Sequence, residues 1–214
     1  MKIQLFRLIK KFWFNSSIVL VLLTQTLQYM KTLVIKVSID EKMLHEKLSA
    51  VGYRIHDVPV TEDMHRILWM SEDEKTAINY IDDKLTKVRY LLVRGKSAKE
   101  MTKTLSKGFP VWKRDDLLKH ALLKLIDGTE EEIARVAMEI AADMDEYDAA
   151  SAGVLTTFLN MDEVSTRLAG ARALRARPWM IFYSTAEELS NDSHPEIAAI
   201  GAEMLARIKE LNDL

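Results

Sequence analysis

The chain has 214 residues, 48% hydrophobic and 29% charged, an ordinary composition for folded protein and enough length for one large or two small domains. Cysteine is absent, which excludes disulfides, thiolate-bound zinc, iron–sulfur clusters and thiol catalysis, and fits a reducing, cytoplasmic setting. The formal net charge of −2 conceals an uneven layout: Lys84–Arg114 holds ten Lys and Arg against Glu100, whereas residues 115–214 hold nine basic and twenty acidic groups.

Residues 1–30 begin with Lys2, Arg7, Lys10 and Lys11 and then turn apolar, the outline of a signal peptide or membrane anchor. The longest unbroken apolar run is only Ile18–Leu23, short of the ~20 residues a spanning helix needs. Two other readings stand beside it: an upstream extension before a start at Met30, and an amphipathic surface helix. Membrane attachment or export is expected only if the segment is a true anchor or signal.

Residues 31–95 read as an α/β module. Thr32–Ile39 is rich in β-branched residues and predicts a strand. Asp40 caps a helix whose apolar positions are Met43, Leu44, Leu48 and Val51, and Gly52 ends it. Tyr53–Val60 alternates like an edge strand, with Pro59 limiting its pairing. Met64–Met70 predicts the next strand. The sequence SEDE from Ser71 has capping-box spacing and predicts a second helix through Ala77, Ile78, Ile81 and Leu85. Lys87–Val93 is the last strand. The resulting order, βαββαβ, is the ferredoxin-like pattern, a fold that does not choose a function by itself. RNA recognition through aromatics on an open sheet has little support, because TLVIKVSI carries none.

Residues 96–114 form a basic connector. Ser97 is placed to cap a short helix with Ala98, Met101 and Leu105 on its apolar side and Lys96, Lys99, Lys103 and Lys107 on the others. Gly108 stops it, Phe109-Pro110 bends the chain, and Val111 and Trp112 are expected to plug the seam to the helical part. Lys96, Lys99, Lys103, Lys107, Lys113 and Arg114 are the candidate polyanion-binding set. Docking against the acidic C-terminal half is the competing use of the same charge.

Residues 115–214 carry a repeat. EEIARVAMEIA from Glu131, DEVSTRLAGARAL from Asp162 and HPEIAAIGAEMLARI from His194 align through Ile133, Val164 and Ile197, 31 and 33 residues apart. Each follows another amphipathic stretch: Leu117–Ile126, Ala150–Leu159 and Trp179–Leu189. The second copy, with Asp162, Val164, Arg167 and Ala171, resembles a HEAT repeat most; Val136 and Ile200 stand where the others would carry Arg. The resemblance implies a short right-handed α-solenoid made of antiparallel helix pairs and a surface for a protein partner. Arg167, Arg172, Arg175 and Arg177 are the one basic stripe in this acidic half and the candidate partner-binding residues.

The five histidines show no ligand spacing, and no G-x-G-x-x-G, Walker or G-x-S-x-G motif occurs. No cofactor, metal or catalytic set is therefore expected. Asp143, Asp145, Glu146 and Asp148 crowd one turn without the spacing of an EF-hand. Trp112, Asp116, Arg172, Arg175, Arg177 and Trp179 bear a loose resemblance to HEAT-like DNA glycosylases, which the acidity of this half opposes. The expectation is a non-enzymatic interaction or adaptor protein, with nucleic-acid association through Lys84–Arg114 as the alternative.

Overall fold

The structure, a computed structural model, describes residues 29–36 and 39–212. The readings of residues 1–28 as signal, anchor, extension or surface helix lie outside these. The described residues belong to two compact units, 29–170 and 171–212.

The first unit opens with β1 (Met30–Val34), α1 (Glu41–Ser49), β2 (Tyr53–Asp57), β3 (Met64–Ser71), β4 (Thr76–Asp83) and β5 (Val88–Gly95). These strands form one antiparallel sheet of order β1-β5-β4-β3-β2. Asp40 caps α1 as expected, its Oδ1 accepting from the Lys42 N–H at 2.9 Å. Gly52 follows the helix at φ +84, a conformation that only glycine enters cheaply. β2 is an edge, broken by a bulge between Ile55 and Asp57, and such irregularity discourages stray pairing with other chains.

The expected second helix does not form: Ala77, Ile78 and Ile81 lie in β4, and Leu85 sits in the turn after it. The sheet is therefore a five-stranded antiparallel one with β2 to β5 as a meander, not a ferredoxin-like βαββαβ unit. The SEDE segment makes a hairpin turn instead of a helix cap. Glu74 N–H donates to Ser71 O at 2.9 Å, Glu74 takes a positive φ of 54, and Ser71 Oγ accepts from Thr76 N–H at 3.0 Å. β4 is buried on both faces, from Thr76 through Asp82. Such a strand loses its alternation and reads as a continuous apolar run, in which an i, i+4 helical spacing arises by coincidence.

α2 (Ala98–Gly108) covers the same sheet face as α1. The core between them holds Leu33, Leu44, Leu48, Ile67, Trp69, Ile78, Leu91, Val93, Ala98, Met101, Leu105 and Phe109. Full burial of Leu44 or Leu48 contributes about 2 kcal/mol each. Trp69 is completely buried, and its indole N–H donates to His45 Nδ1 at 3.3 Å, so its polar atom is satisfied. Ser97 precedes α2 without making a side-chain cap, contrary to its expected role. Phe109 joins the core. The next residues run along β1, with Lys36 N–H donating to Pro110 O and Trp112 N–H to Val34 O, both at 2.8 Å.

α3 (Arg114–Asp127), α4 (Glu130–Asp143), α5 (Ala149–Leu159) and α6 (Val164–Arg175) follow, and the division between the units falls inside α6. Thr129 and Glu132 form a full capping box at the start of α4. The second unit continues with a 3-10 turn (Met180–Phe182), α7 (Tyr183–Ser190) and α8 (Pro195–Asn212). The class is thus α+β, an antiparallel sheet followed by helices. None of the helices among the described residues is long and apolar enough to cross a membrane.

Candidate functional site

The most concentrated polar cluster on the sheet surrounds Asp82, which is 5% exposed near the end of β4. It pairs with Lys84 of the following turn and with Arg89 of β5 at 3.1 Å. His65, opposite Asp82 on β3, meets Glu41 of α1 at 3.2 Å and stands edge-on to the Tyr80 ring at 6.4 Å between centroids. Burial first, then the charges of Asp82 and Glu41, push the Tyr80 hydroxyl up to about 12. Asp82 has Lys84 and Arg89 beside it and Glu41 meets the His65 ring, so the cluster joins β3, β4, β5 and α1.

A second cluster ties α4 and its following turn to β1. Asp145 accepts from Thr32 N–H at 2.9 Å and Thr32 Oγ1 at 2.6 Å, and pairs with Lys31 at 3.1 Å. Asp148 caps α5 through Ser151 and receives Arg114 Nη1 at 2.7 Å. Two of the four acids that crowd this turn in sequence, Asp145 and Asp148, are thus spent on bridges and a cap. No group that could hold a metal ion occurs among the described residues. Glu139 is different: 6% exposed, it is driven up to about 7 chiefly by burial, with Arg135 4.0 Å away and the Trp112 indole only partly offsetting that cost. The Trp112 N–H makes no well-aligned hydrogen bond. Burial likewise raises Asp143.

The sheet edge carries an open cleft of about 450 Å³, lined among others by Tyr53, Glu72, Asp73, Glu100, Met101 and Thr104. Its acids are already engaged in part. Glu72 pairs with Arg54 at 3.1 Å, and Asp73 accepts from Ser71 Oγ at 2.7 Å and Lys75 N–H at 3.1 Å, which hold its carboxyl below the usual range.

The four candidate partner-binding arginines do not form a free stripe. Arg167 Nη1 donates to Asp162 O at 2.7 Å and Met161 O at 3.3 Å, tying the turn before α6 to that helix. Arg172 meets Glu196 at 2.5 Å, Arg175 meets Glu203 at 3.1 Å, and the Arg177 guanidinium lies 5.9 Å from the centre of the Trp179 ring. Sequence reading missed these partners because Glu196 and Glu203 lie on α8, more than twenty residues away.

The basic connector separates differently. Lys84 and Arg89 belong to Asp82, Lys87 binds Glu131 at 2.6 Å, and Arg114 holds Asp115 and Asp148. Lys96, Lys99, Lys103, Lys107 and Lys113 are exposed, and none has a carboxylate partner among the described residues. Lys99, Lys103 and Lys107 follow i, i+4, i+8 spacing on α2, so their backbone positions rise by roughly 6 Å per step along the axis. Ala98, Met101 and Leu105 anchor the opposite side of the helix. Lys47 Nζ, from α1, donates to Gly108 O at 3.0 Å and fastens the end of α2. Glu100, the helix's one acid, turns to the cleft.

The two aromatics after the row are occupied. Phe109 is buried under Lys47 Nζ, 4.6 Å from its ring centre. Trp112 stacks on His120 at 5.0 Å and 25°, and carries Lys36 Nζ at 4.6 Å. Val111 is packed against the sheet core and is not free either. No protein-family model, curated protein or solved structure matches this chain.

Proposed function

We propose that this is a non-enzymatic binding protein whose α2 surface contacts a polyanion. The observation that supports it is the Lys99–Lys103–Lys107 row: like charges on one helix with no carboxylate partner among the described residues, whereas Lys87, Arg89 and Arg114 nearby are paired. Carrying such a row without compensation leaves it available to external phosphates. The experiment is binding of labelled DNA and RNA by fluorescence anisotropy, for the full chain and a Lys99→Gln/Lys103→Gln/Lys107→Gln variant. The expected result is salt-sensitive binding that falls at least tenfold in the variant; flat, weak binding by the native chain sinks the proposal.

A second reading, a protein-interaction scaffold, has its own observation. Leu122, Leu123 and Ile126 of α3 are 44, 59 and 84% exposed, an apolar strip on the first helix of the HEAT-like region. Six helices, α3 to α8, follow one another over the stretch that carries the sequence repeat, and Arg167 bonds back to the turn that starts its copy; both support the HEAT-like reading. The arginine stripe then serves to hold the repeat, and the α3 strip offers the contact. Loss of a stoichiometric partner on Ile126→Glu, in a variant that melts like the native protein, is the outcome this reading requires.

A further inference from the structure

We infer that the polyanion is a nucleic-acid duplex gripped through backbone phosphates, without base stacking; this rests on the polyanion reading of α2. The geometry of the row carries the inference. Its three lysines rise in step on a helix pinned by Ala98, Met101 and Leu105 below and by the Lys47–Gly108 bond at its end. Regularly spaced cations carried on a fixed helix complement charge that is itself regularly spaced, as phosphates are along a duplex. Lys96 just before the helix and Lys113 beyond its end extend the exposed positive charge in sequence on either side.

Single strands are bound by another combination, a basic groove with aromatic platforms on which successive bases stack. Here Phe109 is buried beneath Lys47, and the Trp112 ring is already held by His120 and Lys36. The row consists of lysine alone, compact point charges suited to phosphate; lysine also reaches guanine edges, but no Asn, Gln or Arg stands beside it to read the other bases or to fix a planar pairing. The duplex is therefore held with little regard to sequence, and the contact positions the chain on it rather than selecting a site.

The test uses the full chain with a labelled mixed-sequence DNA duplex, its two separated strands, and vesicles of phosphatidylserine in phosphatidylcholine. The duplex is expected to bind several-fold tighter than either strand, and equally when its sequence is shuffled. The slope of log K against log salt should be about −2.7 for three phosphates and should approach zero in Lys99→Gln/Lys103→Gln/Lys107→Gln. Trp112→Leu should leave duplex affinity within about twofold. Strands binding tighter than duplex, with a loss in Trp112→Leu, would overturn the duplex assignment while leaving α2 a polyanion surface. Vesicle binding without nucleic-acid binding would also overturn it and place the phosphates on a lipid. Salt-insensitive failure to bind any of these probes overturns the polyanion reading itself.

Discussion

Glu139 is a carboxyl placed where ionisation is costly. Asp82, also buried, has Lys84 and Arg89 close by, whereas Glu139 has Arg135 at the outer limit of pairing distance and the Trp112 indole, which together only partly offset its burial. Because its value rises from an ordinary 4.5 to about 7, the unfolded chain releases this proton at lower pH than the folded one. Between about pH 4.5 and pH 7 the unfolded state therefore binds fewer protons, and native stability falls as pH rises through that window; below it the group costs nothing. The full difference corresponds to about 3 kcal/mol. Urea unfolding at pH 5 and pH 8 should show this decline in the native chain and a much smaller one in Glu139→Gln. An equal decline in the variant would mean that other groups produce it.

At the scale of elements, the helix pairs depend on close approach at two glycines. A Cβ on Gly201 of α8 would stand 2.3 Å from Ser190 N and 2.5 Å from Leu189 C, both backbone atoms of α7. A Cβ on Gly170 of α6 would meet Leu159 Cδ2 and Phe158 Cβ at 2.9 Å; the first is the end of a flexible side chain, whereas the second shifts only with its backbone. Gly153 of α5 has nothing within 4 Å. Gly201→Ala should thus cost about 3 kcal/mol and Gly170→Ala about 1–2 kcal/mol by overpacking. Gly153→Ala should gain about 1 kcal/mol from helix propensity. Chemical denaturation of the three variants checks the order, and a neutral Gly201→Ala would contradict the tight pairing of α7 with α8. The same region shows how local signals settle helices: Thr129–Glu132 and Asp148–Ser151 set the starts of α4 and α5 through bonds spanning three residues.

Across the whole molecule, the cations of Lys84–Arg114 divide into those that hold the fold and those that do not. Lys84, Lys87, Arg89 and Arg114 reach acids on β4, α3, α4 and the turn before α5, whereas the α2 lysines make no ion pair among the described residues and stand at i, i+4 to one another. Like charges at that spacing destabilise a helix by about 0.2–0.5 kcal/mol per pair. Lys103 belongs to two such pairs, so Lys103→Gln is expected to raise stability by about 0.5 kcal/mol while weakening duplex binding. Parallel melts and anisotropy titrations of that variant measure both effects. A variant that lost stability and kept its affinity would assign the row to the fold, as the paired cations are assigned.

The residues that announce helices α1 to α8, and the strands β1, β2, β3 and β5, act over a few positions: Asp40 on Lys42, Gly52 after α1, and the apolar spacing of Ala98, Met101 and Leu105. That locality is why these elements, the α+β class and the unevenly placed positive charge were legible from the sequence alone. β4 was not, because burial on both faces erased the period that distinguishes strand from helix, and SEDE suits a hairpin turn as well as a cap. Tertiary structure alone decided which charges remain available. An ion pair such as Arg175–Glu203 or Lys87–Glu131 joins residues that are distant in the chain, and its formation depends on how the elements pack. Packing thus consumed the arginines of α6 and left the lysines of α2 exposed, with no ion pair among the described residues.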